Sequence, residues 1–158
     1  MPIAIGQSLP SVVLDEGTPT QKVDPTTAFA RGKHVIFAVP GAFTPGCDKT
    51  HLPGYLADYD QLRAKGVDSI ACVSVNDAFV MAAWGAAHQA AGKVRMLADP
   101  RAEFTKALGL EVQAAGLGGT RSKRYVMVVQ DGAVTHLDVE PDGFGLTCSL
   151  APSLLARL

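Results

Sequence analysis

Cysteine is scarce in this chain: there are three in 158 residues, Cys47, Cys72 and Cys148. So few, so widely scattered, exclude a disulfide scaffold. The absence of any C-x-x-C pair argues against a zinc knuckle or a thioredoxin-type dithiol. The remaining potential ligands His34, His88 and His136 are dispersed and suggest no metal site. An excess of one charge is also missing. Fourteen basic residues face 15 acidic ones for a net charge of -1, and neither sign forms blocks. A nucleic-acid or membrane-surface binder that relies on a basic face is therefore not expected. No apolar run approaches the roughly 20 residues that span a bilayer. The opening "MPIAIGQSLP" lacks the basic head and apolar stretch of a signal peptide. Repeats, low-complexity tracts and linkers are absent too, so one domain over residues 1–158 is expected.

What is present alternates between strand and helix patterns. "HVIFAV" (34–39) reads as a buried strand, and residues 47–65 carry apolar positions at close to helical spacing. "VDSIACVSV" (67–75) is a second buried strand. The alanine-rich 76–92 follows as a helix, capped by Asn76 or Asp77 and ended by Gly92. A third strand over 93–99 precedes a short helix over 100–109, with Pro100 near its start and Gly109 near its end. In 123–140 two strand-like runs flank Asp131-Gly132, a dipeptide suited to a tight hairpin. A short apolar helix closes the chain. The expected class is α/β: a three-layer sandwich with a mixed sheet between helices, the general plan of a thioredoxin-like fold.

The stretch "PGAFTPGCDKTHLPGY" (40–55) sets Cys47 where a loop turns into a helix. Unpaired N–H groups and the positive end of the helix dipole favour negative charge there, and hence the thiolate, the nucleophilic form of cysteine. Thr44, three residues earlier, can offer its hydroxyl to the sulfur or to a substrate, and Pro45 suits a helix start. The alternative for any single cysteine is a small buried hydrophobe.

Pro40, Thr44 and Cys47 spell Pro-x-x-x-Thr-x-x-Cys, the active-site signature of the peroxiredoxins. The longer stretch resembles the peroxiredoxin-5 family in particular. "ACVSVNDAFV", "WGAAH", "KVRMLADP", "RSKRYVMVVQDG" and "VEPDGFGLTCSLAP" extend the likeness over most of residues 35–152. The resemblance implies a thiol peroxidase acting on hydrogen peroxide, alkyl hydroperoxides and peroxynitrite, without cofactor or metal. Cys47 would be oxidised to a sulfenic acid. Thr44, Gly46, the Cys47 amide and Arg124 would bind the peroxide, and Pro40 would shield the thiolate. Arg121 is the nearby alternative to Arg124, with a surface role as its bland reading. Cys148 would resolve the sulfenic acid as an intramolecular disulfide, re-reduced by thioredoxin or a similar thiol carrier. Cys72 is the rival, against a structural role in an apolar strand.

Two other functional classes stay open on the residues alone. One is a redox sensor or binding module switched by Cys47 oxidation. The other is a hydrolase using Cys47 with His51 as base, although His51 reads more simply as a polar residue beside the site. Trp84 is expected in the core or an interface; for Phe43 and Phe79 core packing is the plainer reading, with lining the pocket or a dimer contact as the alternative. The family forms loose homodimers, which nothing in this composition demands. The expected location is cytoplasmic, with peroxisomal pools through Ala156-Arg157-Leu158, or mitochondrial ones, as further options.

Overall fold

The computed structural model describes residues 2–158. Three apolar runs form its parallel centre: β3 (Lys33–Ala38), β4 (Ser69–Ser74) and β5 (Val94–Ala98). Buried on both faces, such strands show continuous rather than alternating hydrophobicity. β8 (Tyr125–Gln130) pairs antiparallel with β3, aligning Phe37 with Val126, and turns into β9 (Ala133–Val139). Asp131 and Gly132 both take positive φ, 51° and 84°, as the tight turn requires. On the opposite flank, β1 (Leu14–Glu16) meets β5 and carries the edge strand β2 (Thr18–Val23). The resulting order is β2-β1-β5-β4-β3-β8-β9. The α/β class and the mixed sheet expected from the sequence are both present.

One face of the sheet carries α2 (Leu52–Ala57), α3 (Tyr59–Ala64), α4 (Ala78–Ala87) and α6 (Ala151–Leu155). Their side chains meet Val35, Phe37, Cys72 and Val126 in one apolar cluster. The other face is covered by α1 (Pro25–Ala28) and α5 (Glu103–Leu108), which bring Phe29, Phe104 and Leu108 against Ile36, Tyr125 and Met127. Asp77 caps α4, accepting from the Val80 amide at 2.9 Å. Asn76 instead accepts from the Ala42 amide at 3.0 Å and from Ser74 Oγ at 2.6 Å, tying the loop after β3 to the end of β4.

Several expected boundaries move. The helix expected over 47–65 is three pieces: a π-helical turn over Cys47–His51, then α2, then α3 beyond a break at Asp58. α4 stops well before Gly92. α5 begins only after Ala102, which adopts a left-handed conformation. Asp99, rather than Pro100, organises its start by accepting from Phe104 N, Thr105 N and Thr105 Oγ1. Trp84 is fully buried, but Phe43 and Phe79 are 51% and 62% exposed. The core placement expected for these two phenylalanines is therefore wrong: Phe79 lies on the outer side of α4, and Phe43 on a turn with φ of 65° that swings it outward.

A separate two-stranded hairpin, β6 (Glu111–Ala114) and β7 (Gly119–Ser122), joins α5 to Arg124. The chain end is docked rather than extended. Arg157 pairs with Asp138, Lys65 Nζ donates to the Leu158 carbonyl at 3.2 Å, and Leu158 packs on the core. Among the described residues no helix is long and apolar enough to cross a membrane.

Candidate active site

The loop after β3 is short and over-determined. Pro40 and Gly41 are buried, and the Thr44 hydroxyl donates to the Gly41 carbonyl at 2.7 Å. Helical backbone starts at residue 45, where a proline lacks only an N–H that the first turn leaves unpaired anyway. The Asp48 amide then reaches the Thr44 carbonyl at 2.8 Å, the first bond of the helix. Cys47 thus lies in the first turn, where its own amide has no carbonyl four residues back inside the helix. It is also wholly buried. Its carbonyl accepts from Leu52, five residues on, so the turn is wider than an α-helix. Such π-bulges are uncommon and recur at functional sites.

Arg124, between β7 and β8, brings a guanidinium to this turn although the residue is only 4% exposed. Its Nε donates to the Phe144 carbonyl at 3.2 Å, and Nη1 to His51 Nδ1 at 3.0 Å. Its Nη2 lies 3.3 Å from where a Cβ on residue 46 would stand, with Leu146 Cδ1 at 3.1 Å. Glycine at 46 therefore lets the cation approach the backbone beside Cys47. Among the described residues no carboxylate comes within ion-pair distance of Arg124. A buried guanidinium without a fixed anion keeps its charge free for a thiolate or a polar ligand.

The redoxin family profile matches residues 4–148. Peroxiredoxin-2E-2 of the chloroplast from Oryza sativa subsp. japonica is 44% identical, over 99% of this chain and 72% of its own. The crystal structure of reduced Prx3 from Vibrio vulnificus in complex with hydrogen peroxide superposes with a TM-score of 0.93 at 53% identity, covering 99% of each chain. Peroxiredoxin 5 from Alvinella pompejana gives a TM-score of 0.85 at 41% identity, covering 99% of this chain and 100% of its own. The chain belongs to the peroxiredoxins, within the redoxin family.

The peroxiredoxin fold places the sequence-nominated residues unequally. Thr44, Gly46 and Cys47 lie where the loop enters the helix, Arg124 Nη2 reaches the backbone of Gly46, and Pro40 is buried at the start of the same loop. Arg121 does not join them, because its Nη1 donates to the Val75 carbonyl and its Nη2 to the Leu117 carbonyl, both at 2.7 Å. It fastens two loops behind Gly41. The Thr44 hydroxyl donates to the Gly41 carbonyl, which leaves its oxygen as an acceptor.

His51 cannot serve as a base in the form seen. It is fully buried, its Nε2 donates to the Ser149 carbonyl at 3.2 Å, and its Nδ1 accepts from Arg124. Burial, reinforced by the Arg124 charge, holds its pKa down to about 3, so it is neutral with both nitrogens engaged. This arrangement overturns the hydrolase reading, which needs a free imidazole nitrogen facing the thiol.

The three thiols are all free. Cys72 is sealed within β4, and burial, then the nearby Cys47, push its thiol well up. Cys148 is partly exposed, and burial followed by the Glu140 charge raises it more moderately. The segment around Cys148 is gathered by Glu140, a residue that no motif singles out. Glu140 Oε1 accepts from Thr147 Oγ1 at 2.5 Å, and Oε2 from Thr147 N, Ser149 N and Ser149 Oγ at 2.9, 2.9 and 2.6 Å. The only hint in the sequence is an acid placed seven and nine residues before hydroxyl side chains.

Proposed function

We propose that this peroxiredoxin reduces hydrogen peroxide and alkyl hydroperoxides, and peroxynitrite as a further substrate, with Cys47 as the attacking thiol. The observation that carries the reading is the buried, anion-free guanidinium of Arg124 beside Gly46 and Cys47. The Cys47 thiolate attacks the terminal peroxide oxygen and the O–O bond breaks; the leaving oxygen takes a proton and departs as water or alcohol, or leaves as nitrite when the substrate is peroxynitrite. Cys47 is left as a sulfenic acid. Arg124, the Cys47 amide and Thr44 hold the peroxide in line and stabilise the charge that develops on the leaving oxygen. Pro40 keeps water from that face.

Cys148 then attacks the Cys47 sulfenic sulfur, expelling water and forming an intramolecular disulfide. Thioredoxin or a similar dithiol reduces it, becoming oxidised in turn. Greater exposure and a less perturbed thiol favour Cys148 over Cys72 as the resolving residue. A homodimer and a cytoplasmic location complete the proposal.

The test is peptide-mapped mass spectrometry seconds after one equivalent of peroxide meets fully reduced protein. A Cys47–Cys148 disulfide is expected, followed by sustained thioredoxin-dependent peroxide consumption. A Cys47–Cys72 link would move the resolving role. One stoichiometric oxidation without turnover would favour a redox sensor, and three unreacted thiols would end the peroxidase reading.

A further inference from the structure

Glu140 is 1% exposed, and among the described residues it has no cationic partner. Its four donors all come from Thr147 and Ser149, the two residues flanking Cys148. Ser149 is a joint: its amide and hydroxyl go to Glu140, while its carbonyl accepts from Tyr55 Oη at 2.6 Å and from His51 Nε2 at 3.2 Å. The other His51 nitrogen accepts from Arg124 Nη1. The same segment grips Arg124 from two further sides, through the Phe144 carbonyl on Nε and the Gly143 carbonyl on its amide at 2.7 Å. The Glu140 amide donates to the Arg124 carbonyl at 3.0 Å.

We propose that Glu140 is a positioning residue that latches the Cys148 segment shut and, through Ser149 and His51, holds Arg124 at the Cys47 turn. The carboxylate makes hydrogen bonds to donors on both sides of Cys148, so Cys148 cannot swing out while both oxygens are engaged. Releasing them frees Ser149, and with it the acceptor that fixes His51 behind Arg124. Leaving the closed state thus frees the second thiol and relaxes the peroxide-binding cation in one movement. The consequence for disulfide formation rests on Cys148 being the resolving cysteine; the latch itself does not.

The test uses the reduced full-length protein and Glu140→Gln, which keeps the shape but replaces one acceptor oxygen by a donor facing other donors. Timed alkylation with N-ethylmaleimide is mapped by peptide and compared per thiolate, each protein's Cys148 ionisation being read from the pH dependence of the rate, because loss of the Glu140 charge alone raises the thiolate fraction. On that scale Cys148 is expected to react about tenfold faster or more in the variant, given the strength of hydrogen bonds to a charged group. Cys72 should stay unreactive, a distinction that general destabilisation would erase. In a Cys148→Ser background, where no disulfide to that residue forms, oxidation of Cys47 by peroxide is expected to slow several-fold when Glu140→Gln is added. Should Glu140→Gln not fold, Thr147→Val combined with Ser149→Ala removes the two hydroxyl donors and reads the same rates. Cys148 alkylation within about twofold of wild type, or Cys148 and Cys72 rising together, overturns the latch. A peroxide-induced disulfide that omits Cys148 in wild type would instead overturn the resolving assignment, leaving the alkylation result to judge the latch.

Discussion

Two arginines three positions apart divide the work of charge and of structure, and their partners decide which does which. Arg121 ends on two backbone carbonyls, so its donors serve the Val75 and Leu117 loops. Arg124 is anchored from behind by one carbonyl and a neutral imidazole, and presents its remaining edge to Gly46. Arg124→Lys keeps the charge but loses the planar fork and the simultaneous anchoring. It should slow peroxide oxidation of Cys47 by about 100-fold or more, in the range seen when one preorganised donor is lost. Arg121→Ala should leave that rate within a few-fold and lower stability by about 2 kcal/mol, the scale of hydrogen bonds from a charged donor. Stopped-flow peroxide kinetics beside urea unfolding separates the two, and a reversed pattern would move the peroxide-binding role to Arg121. The resemblance over "RSKRYVMVVQDG" puts Arg124 first, with Arg121 as the nearby alternative. It could not rank them by hydrogen bonding, since the carbonyls that hold Arg121 come from residues 75 and 117.

At the scale of elements, the Cys47 turn is held less by its own ladder than by what it touches. Asp48 Oδ1 accepts from Trp84 Nε1 at 2.8 Å and from His88 Nε2 at 2.7 Å, pinning the π-turn to α4. If Cys47 leaves its buried position to form a disulfide, the Asp48–Trp84 bond should be among the first broken. Trp84 is the chain's single tryptophan, so its fluorescence reports that event without ambiguity. A change in emission is expected after one equivalent of peroxide, in a phase that follows Cys47 oxidation and disappears in Cys148→Ser. An emission change that survives in Cys148→Ser would show that unwinding follows sulfenic acid formation alone. These elements were unequally legible. Buried parallel strands announce themselves by unbroken Val, Ile and Phe runs, and Asp131-Gly132 marks its hairpin through its tolerance of positive φ. β2 was not legible, because "TPTQKV" is a polar, proline-bearing edge with little apolar pattern to read. The π-turn was invisible too: one extra residue per turn leaves the apolar spacing of 47–65 nearly helical, and only the Cys47–Leu52 bond reveals it.

For the whole molecule, the same network that positions the site makes stability depend on acid. His51 is held near a pKa of about 3 against an ordinary value of 6.5, so below pH 6.5 the unfolded chain binds a proton that the folded one refuses. Its stabilisation is complete above pH 6.5 and is lost progressively down to about pH 3. Each pH unit in that window costs about 1.4 kcal/mol for one such group. Glu140 acts lower on the scale. Burial alone would raise its pKa, but the Ser149 and Thr147 donors outweigh burial and bring it from 4.5 to about 2. Its stabilisation is present above pH 4.5 and fades between there and pH 2. His136, lowered by burial and by Arg157, adds to the His51 slope with the same sign. Both main groups bind Ser149, one at its carbonyl and one at its amide and hydroxyl. Acid should therefore loosen the Cys148 segment before it unfolds the sheet. Urea unfolding from pH 7 to 4.5 isolates the imidazole part. His51→Asn offers Arg124 a neutral acceptor without a titrating ring, and should flatten the dependence by about 1.4 kcal/mol per pH unit relative to wild type. Equal slopes in the two proteins would mean that His51 takes up its proton in the fold as readily as in the unfolded chain, and Arg124 would then need another acceptor to hold it at Cys47 at low pH.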